Sequence, residues 1–267
     1  MICDFHVHTC MSADSEADID AVVRKAIALG MPYLCITDHH DVDYNDGEFF
    51  LDPYKYYDTL SFYREKYKNK IRLLIGVEMG LQPHIKDEVE AFLTSVPLDF
   101  VIGSSHVING ADPYYDEIWR NHTTDQVMNM YFENIYENLQ VHDDFDVYGH
   151  IDYAIRYAKE KDRDYSYEKY REILDKILSK IISKGKGIET NTAGLRKGLR
   201  STNPCFEIIK RYHELGGNVI TVGSDAHRPE DIGADFDRAK KLLSAAGFDH
   251  YNLFAERKVL TVPLRQQ

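Results

Sequence analysis

Short runs of apolar residues alternate with longer amphipathic stretches along the chain. The runs carry hydrophobic side chains on successive positions, which is typical of strands that are buried on both faces of a sheet. We therefore predict seven strands, at Ile2–Phe5, Tyr33–Thr37, Ile71–Val77, Phe100–Ser104, Phe145–Tyr148, Gly187–Thr190 and Val219–Gly223.

The stretches between the runs repeat apolar residues at helical spacing. In Ile19–Leu29, for example, Val22, Val23 and Ala26 share one face, and the stretch stops at Gly30, a residue that favours a helix C-terminus. The other predicted helices are Tyr54–Tyr67, Asp87–Thr94, Asp125–Gln140, Tyr167–Ser183, Pro204–Leu215 and Ala234–Ala246.

The regular alternation of strand and helix predicts a parallel sheet with right-handed crossovers. Seven strand–helix units in 267 residues favour an α/β fold with a small, distorted (β/α)7 barrel of the TIM type over an open sheet. Because no stretch rich in Pro, Gly or Ser divides the chain, we expect a single domain over residues 1–267.

The composition is that of an ordinary globular protein, with 43% hydrophobic and 28% charged residues. No apolar run reaches about 18 residues, so we expect no membrane span, and the N-terminus shows no signal peptide. We therefore expect a cytoplasmic protein. The net charge of −12 argues against long nucleic acid as a partner, which needs extended basic patches. The oligomeric state stays open.

Polar residues that bind metals lie at or just past the ends of these predicted strands. They are His6, His8, Asp14, His39, Glu78, His106, His150, Asp225 and His227. In a parallel barrel the strand ends form one face, where residues far apart in sequence meet. Imidazoles and carboxylates gathered in this way are ligands for Zn²⁺, Mn²⁺ or Fe²⁺. Since the set is too large for one ion, we predict a multinuclear metal site.

Two pairs of these residues have the same spacing. His6 and His8 come directly off the first strand, and Asp225 and His227 follow the last strand. A two-residue spacing on extended backbone points both side chains to the same side, so that both can reach one ion. A single pair could consist of surface residues, but two pairs on strands that would close a barrel favour a metal site.

The remaining candidates leave alternatives open. Asp38 and His40 could belong to a hydrogen-bonding cluster at a loop start; we take His39 as the ligand and assign His40 to substrate contact. Glu78 follows an apolar strand, where an unpaired carboxylate would be costly and cations would compensate it. His106 and His150 fit a hydrogen-bonded structural role as well as ligation.

Six motifs taken together resemble one family. The segments HVHT, ITDHH, GVEM, GSSHV, GHIDY and GSDAH are similar to those of the PHP (polymerase and histidinol phosphatase) phosphoesterases, and the resemblance runs from Asp4 to about Gly233. The segments GHIDYAIRY and ETNTAGLRKG most resemble the stand-alone histidinol-phosphatase branch. The resemblance implies a distorted (β/α)7 barrel with a trinuclear centre at the C-terminal ends of the strands.

The resemblance also implies which ligands go together around three divalent ions of Zn, Mn or Fe. The first group is His6, His8, Glu78 and Asp225. The second group is Glu78, His106 and His150, with Glu78 as the bridge. The third group is Asp14, His39 and His227. Asp14 could instead cap the helix that starts near Ile19.

The expected mechanism uses a water that bridges two ions, because its lowered pKa makes it a hydroxide nucleophile near neutral pH. Glu78 and Asp225 act by holding those ions. Arg156 and Arg196 are candidates for the phosphate oxygens, since guanidinium forks suit phosphate. Each could also be an ordinary surface arginine, and two nearby cations, Lys197 and Arg200, compete with Arg196.

Other polar residues near the predicted strand ends have open roles. Glu189 and Asn191 could contact the substrate amine or a metal-bound water, although a structural hydrogen bond explains them equally well. The proton for the leaving alkoxide could come from His40 or from a metal-bound water.

These residues and the resemblance together predict a metal-dependent phosphomonoesterase that hydrolyses L-histidinol phosphate in histidine biosynthesis. One alternative is a PHP enzyme that acts on nucleotide or oligonucleotide phosphates, which the charge disfavours. A second is an amidohydrolase, which often bridges its metals with a carboxylated lysine; no Lys ends a predicted strand here. A third is a non-catalytic metal-binding protein, which would be expected to have lost some of the nine ligands.

Overall fold

The computed structural model describes residues 3–44 and 47–264 and shows an α/β fold around a curled parallel sheet. The strands of this sheet in the described residues are β1 (Tyr33–Ile36), β2 (His39–His40), β3 (Arg72–Gly80), β4 (Phe100–Ser104), β5 (Val147–Tyr148), β6 (Gly187–Asn191) and β7 (Ile220–Gly223). Every pairing between them is parallel, in the order β1-β3-β4-β5-β6-β7. The predicted distorted TIM-like barrel is therefore confirmed.

The N-terminal segment closes the curled sheet between its first and last strands. Asp4 forms a parallel bridge to Leu34 of β1, and Val7 forms one to Ala226, just after β7. The segment was predicted as the strand Ile2–Phe5, and Ile2 lies outside the described residues. The described part of this segment pairs with β1 at Asp4 and with the residues after β7 at Val7. It therefore forms isolated bridges rather than a continuous strand pairing.

The second predicted strand, Tyr33–Thr37, ends at Ile36 in the structure, and a further short strand, β2, follows at His39–His40. β1 and β2 both pair with β3, and His39 lies opposite Glu78 in that register. Because of this second pairing, β3 continues to Gly80, three residues beyond the predicted end. Glu78 and His39 therefore lie within strands rather than in the loops that follow them.

Helices fill the intervals between the strands, as predicted. In the described residues they are α1 (Ile19–Ala28), α2 (Pro53–Tyr67), α3 (Lys86–Ser95), α4 (Asp116–Arg120), α5 (Thr124–Val141), α6 (Arg171–Ser183), α7 (Ala193–Arg196), α8 (Phe206–Glu214) and α9 (Phe236–Ala246). The short helices α4 and α7 were not predicted. None of the helices in these ranges is both long and apolar enough to cross a membrane.

Asp14 is not the residue that caps the N-terminus of α1. The side chain of Asp18 accepts a hydrogen bond from the Ala21 amide at 2.9 Å, so Asp18 is the capping residue. Asp14 is left available for another role.

A C-terminal hairpin closes the opposite end of the barrel from the predicted site. Its strands, β8 (His250–Ala255) and β9 (Lys258–Pro263), were not predicted. Asn252 accepts a hydrogen bond from the amide of Ile220 at the start of β7. Phe254 packs on Phe100 at the start of β4, with ring centroids 5.1 Å apart. The hairpin therefore covers the N-terminal ends of the strands and leaves the C-terminal ends free for a site.

Candidate metal centre

A fully buried carboxylate, Glu78 of β3, lies at the centre of a cluster of histidines. Its two oxygens lie within 3.4 Å of five imidazoles. The distances from the nearest Glu78 oxygen are 2.8 Å to His150 Nε2, 2.9 Å to His6 Nε2, 3.1 Å to His39 Nδ1, 3.1 Å to His106 Nε2 and 3.4 Å to His8 Nε2. The carboxylate therefore joins side chains from the N-terminal segment, β2 and the segments that follow β4 and β5.

The charge on Glu78 is stabilised by its neighbours. Burial on its own would raise the pKa of this carboxyl, but the imidazoles of His6, His39 and His106 hold it well below its usual range. A buried carboxylate of this kind needs compensating positive charge, which protonated imidazoles or bound cations can supply.

Asp225 occupies the next position in the cluster, directly after β7. Its Oδ1 lies 3.5 Å from His8 Nε2 and 3.6 Å from His227 Nδ1, while its Oδ2 accepts a hydrogen bond from Arg156 at 2.8 Å. Its backbone has a φ of 55°, which is unusual for a residue with a side chain. Such strain is maintained where the surrounding structure requires a particular side-chain direction.

The two pairs with two-residue spacing lie side by side. The parallel bridge between Val7 and Ala226 joins the residues in the middle of each pair, so that His8 and His227 come together with ring centroids 4.2 Å apart. This arrangement agrees with the expectation that the first and last strands close against each other.

Asp14 lies at the outer edge of the cluster. Its carboxylate is 2.9 Å from His227 Nε2 and 3.7 Å from His39 Nε2. The hydrogen bond from His227 holds the pKa of Asp14 below its usual range, although burial opposes this effect. All nine predicted ligands are thus brought together at the C-terminal end of the barrel.

These side chains form overlapping groups that could hold metal ions. Potential ligand atoms lie within 4.8 Å of one another in Glu78–His106–His150, His6–His8–Glu78, His6–His150–Asp225, His8–His39–His227 and His39–Asp41–His106. The first of these coincides with the second predicted ligand group. Two other groups share His6. His6–His8–Glu78 lies within the first predicted group, and His6–His150–Asp225 shares His6 and Asp225 with it.

The unpaired nitrogen atoms of the cluster also fit cations. His8 Nε2 and His39 Nδ1 are buried and make no hydrogen bond within the described residues. Burial lowers the pKa of His8 to about 3, and the neighbouring His227 and His39 add to this effect. The His8 ring is therefore neutral near pH 7 and keeps a lone pair for a cation, which explains how such costly unpaired atoms can be tolerated.

A second layer of polar groups orients the histidines from behind. Glu189 is 2.6 Å from His6 Nδ1 and also accepts the His150 amide, whereas Asp41 is 2.9 Å from His106 Nδ1. Carboxylates in these positions fix the tautomer of a ligand histidine and raise its basicity. The sequence analysis named Glu189 but left open whether it contacts the substrate, a metal-bound water or a structural partner. It did not name Asp41, although the spacing of two residues from His39 could have indicated that both side chains point to the same side.

Gly80 makes the position of Asp41 possible. A Cβ atom at Gly80 would lie only 1.9 Å from Asp41 Oδ1. We expect Gly80→Ala to displace Asp41 from His106 and to lower metal affinity and activity about 10- to 100-fold. Metal analysis after dialysis and steady-state kinetics measure this effect.

Gly217→Ala is the matched control for that variant. Its added Cβ would lie 2.3 Å from the Tyr212 ring. The Tyr212 hydroxyl donates to the carbonyls of Lys186 and Val219, just before β6 and β7, so the variant should lower the melting temperature without lowering metal affinity. If the two variants lost metal equally, a general loss of stability would explain the Gly80 result.

His40 is not part of the cluster, contrary to its predicted roles in substrate contact and proton transfer. Adjacent residues of a strand point to opposite faces, so His40 points away from the site when His39 points into it. Its ring stacks on Phe92 at 4.1 Å, and its Nδ1 accepts the Leu51 amide at 3.0 Å. His40 is therefore a buried packing residue, and we assign it no part in catalysis.

The two predicted arginines both lie beside the cluster, in different environments. Arg156 is buried, and its three nitrogen atoms donate to Asp225, Asn191 and Asn203 at 2.7–2.8 Å. Arg196 donates through Nη2 to the Ser224 carbonyl, whereas its Nη1 is buried without a hydrogen-bond partner in the described residues.

The competing cation Arg200 points elsewhere. Its guanidinium is 3.4 Å from Asp162 and donates to backbone carbonyls of the same loop. Arg196 is therefore the stronger candidate of the two for an anion at the centre.

Known proteins resemble this chain over nearly its whole length. The PHP domain profile matches residues 4–193. The histidinol-phosphatase of Lactococcus lactis subsp. lactis is 31% identical over 96% of this chain and 95% of its own. A protein of Clostridium acetobutylicum, described as "probable histidinol-phosphatase", is 35% identical over 91% of this chain and 92% of its own.

A solved structure shares the fold almost completely. It is the crystal structure of histidinol phosphate phosphatase from Lactococcus lactis subsp. lactis, complexed with zinc, L-histidinol and phosphate. The TM-score is 0.89 at 30% sequence identity, and the match covers 97% of this chain and 98% of the other.

Proposed function

The chain belongs to the PHP domain family, and we propose that it hydrolyses L-histidinol phosphate to L-histidinol and phosphate. The observation that carries this conclusion is the TM-score of 0.89, over 97% of the chain, with the histidinol phosphate phosphatase that binds zinc, L-histidinol and phosphate. The buried cluster around Glu78 provides the donor set that a metal-dependent phosphatase needs. The substrate is thus a small phosphate monoester, and the reaction belongs to histidine biosynthesis.

We propose that three divalent ions, of Zn, Mn or Fe, are held in this cluster. The residues that would hold them are His6, His8, Asp14, His39, Glu78, His106, His150, Asp225 and His227. Bound divalent ions supply Lewis acidity, which lowers the pKa of water and offsets the charge of a phosphate ester. Imidazole and carboxylate ligands suit all three metals.

The residues of the chain then have distinct roles in the proposed reaction. Glu78 is shared between two ligand groups and holds them at a constant separation. Asp225 presents Oδ1 to the histidines while Arg156 holds its other oxygen. Glu189 accepts a hydrogen bond from the Nδ1–H of His6 and so leaves His6 Nε2 free to act as a ligand.

Arg196 is proposed to bind the phosphate oxygens through its unpaired Nη1. The interactions of Arg156 are already made with Asp225 and two asparagines, so we propose that its main role is to orient Asp225. A phosphate contact from Arg156 stays a prediction, since each of its terminal nitrogens carries a second N–H.

Alanine substitutions distinguish these two roles. We expect Arg196→Ala to raise KM about tenfold or more with little change in kcat, because it removes a charged hydrogen bond to the ground-state substrate. Arg156→Ala should lower kcat and the bound metal, because Asp225 loses its buried cation. Steady-state kinetics and metal analysis provide both readouts. Arg200→Ala is the control, and an unchanged KM in Arg196→Ala would exclude that residue from the phosphate site.

Residues 1–267 are proposed to act as one unit, since the described ranges form one barrel with one continuous core.

The proposed function is tested by phosphate release from L-histidinol phosphate, glycerol phosphate and a nucleoside monophosphate with metal-loaded protein. We expect a strong preference for L-histidinol phosphate. Preference for the nucleotide would contradict the substrate, and no turnover with Mn, Zn or Fe would contradict the enzyme activity.

A further inference from the structure

A buried hydroxyl lies behind the cluster, between His8 and a carboxylate that is not a proposed metal ligand. Ser12 Oγ is 3.1 Å from His8 Nδ1, whereas the other nitrogen of the ring, Nε2, faces Glu78. The same hydroxyl donates a hydrogen bond to Asp38 Oδ1 at 2.8 Å. Ser12 and Asp38 are both buried. A continuous path of hydrogen bonds therefore joins Asp38 to the back of the His8 ring.

The carboxylate of Asp38 is held firmly in place. It lies between β1 and β2, and it is fully buried. Besides the Ser12 hydroxyl, its Oδ1 accepts the Thr9 amide at 2.6 Å, and its Oδ2 accepts the Thr9 hydroxyl at 2.8 Å. A buried carboxylate with donors on both oxygens has little freedom to turn and acts only as an acceptor.

The single proton of the Ser12 hydroxyl determines the direction of its other hydrogen bonds. A serine hydroxyl has one proton to donate and two lone pairs with which to accept. The proton goes to Asp38, and one lone pair accepts the His39 amide at 3.0 Å. The contact with His8 must then be donated by the ring. His8 therefore carries its proton on Nδ1 and a lone pair on Nε2.

This tautomer directs the lone pair of His8 into the cluster. Nε2 lies 3.4 Å from Glu78 and 3.5 Å from Asp225, and it makes no hydrogen bond within the described residues. A lone pair that faces two carboxylates is repelled by their charge, and a cation placed among them removes the repulsion. The hydrogen bonds behind the ring thus prepare His8 to bind a cation.

We propose that Asp38 is a positioning residue of the metal centre, which acts through the Ser12 hydroxyl to fix the tautomer of His8. Carboxylates contact two other ligand histidines directly, whereas here one hydroxyl lies between the carboxylate and the ring. This inference rests on the proposed metal centre for the use of the Nε2 lone pair. The position of the proton on His8 is a property of the chain itself and is measured without metal.

The tautomer of His8 is the first test. Long-range proton–nitrogen NMR spectra of the full chain after removal of metal distinguish the two tautomers, and His8→Gln identifies the signals of His8. We expect the proton on Nδ1 in the unmodified protein. In Ser12→Ala the ring loses its acceptor, so the proton should move largely to Nε2, where Glu78 and Asp225 accept it. A proton on Nε2 in the unmodified protein, or an unchanged tautomer in Ser12→Ala, would overturn the inference.

The affinity for Zn²⁺ is the second test. We expect Ser12→Ala and Asp38→Ala each to raise the apparent Zn²⁺ dissociation constant about tenfold or more, measured by competition with a chelator. Asp38→Asn should stay within about twofold of the unmodified protein. An asparagine oxygen can replace Asp38 Oδ1, which accepts both the Thr9 amide and the Ser12 hydroxyl. Equal losses in Asp38→Asn and Asp38→Ala would contradict a role as acceptor.

Thr9→Val is the matched control. Like Ser12→Ala it removes a buried hydroxyl that donates to Asp38, but in the described residues this hydroxyl makes no hydrogen bond to a ligand histidine. We expect Thr9→Val to lower the melting temperature while the His8 tautomer and the Zn²⁺ affinity stay unchanged. Equal losses of affinity in Thr9→Val and Ser12→Ala would point to general loosening of the segment and refute the proposal. This comparison decides the matter even if circular dichroism shows that Asp38→Ala is unfolded.

These measurements separate the inference from the proposed function. If the unmodified protein binds Zn²⁺ but releases no phosphate from L-histidinol phosphate, the proposed function fails, and the tautomer and affinity results still support the role of Asp38. If the protein hydrolyses L-histidinol phosphate but His8 carries its proton on Nε2 without metal, the inference fails and the proposed function stands.

Discussion

Glu78→Gln is expected to lower kcat by about 1000-fold or more while the protein stays folded. The substitution keeps the size of the side chain and removes the charge that faces five imidazoles. A neutral amide is a poor bridging ligand, so two of the proposed ligand groups would lose their common member. Steady-state kinetics with L-histidinol phosphate measures the loss, and metal analysis should show fewer ions per chain.

Two controls make the Glu78 result interpretable. Glu88→Gln changes the same residue type on the exposed face of α3 and should leave kcat unchanged. Circular dichroism and the melting temperature show whether Glu78→Gln is folded, and we expect a native spectrum. A folded Glu78→Gln protein with near-normal kcat and metal content would rule out the shared-carboxylate arrangement.

Removal of metal is expected to reduce activity to about 1% or less and to lower the melting temperature. The cluster contains buried imidazole nitrogens that have no hydrogen-bond partner in the described residues, together with the carboxylates of Glu78 and Asp225, which lie 3.4 and 3.5 Å from His8 Nε2. A bound ion stabilises the folded state in proportion to the logarithm of its concentration over its dissociation constant, so that its loss lowers stability. Chelator dialysis followed by activity and thermal-unfolding assays measures both effects.

The choice of metal in the add-back experiment tests the donor set. Zn, Mn or Fe should restore activity, because imidazole-rich sites suit these ions. Mg²⁺ prefers six oxygen ligands and should restore little. Full activity in protein shown to be metal-free, or recovery with Mg²⁺ alone, would be inconsistent with the proposed centre.

The barrel could be predicted because its signals are local. Apolar runs of four to seven residues and helical spacing between them follow from burial, and burial in a parallel barrel is the same for each strand–helix unit. β4 matches its predicted bounds, and α1 and α5 match theirs to within one residue at each end. The hairpin of β8 and β9 lacked such a signal, because β9 is largely exposed and, in the described residues, has β8 as its strand partner.

The ligand set could also be predicted, because a parallel barrel brings all the C-terminal strand ends to one face. His6 and Asp225 are more than 200 residues apart in the sequence, yet both lie in the cluster. The structure brings together all nine residues that were named from their positions. Their assignment to individual ions stays a prediction.

The direction of individual side chains was harder to predict. His39 and His40 are adjacent and chemically identical, and only the pairing of β2 with β3 determines which one faces the cluster. Asp41 depends on the same register and on the absence of a side chain at Gly80. Arg156 looked like a substrate contact, but its interactions with Asp225 and the two asparagines depend on residues from three other segments.

The order of residues along this chain thus contains the fold class, the polar positions at the strand ends and the chemistry that they favour, since each depends on local periodicity or residue type. The three-dimensional packing adds the roles of Asp41, Glu189 and Arg156, and it places His40 outside the cluster. These roles arise from strand register and from contacts between distant segments. Buried charged groups are costly unless they have partners, and here the partners come from segments far apart in the sequence. A short stretch of sequence therefore does not determine these contacts.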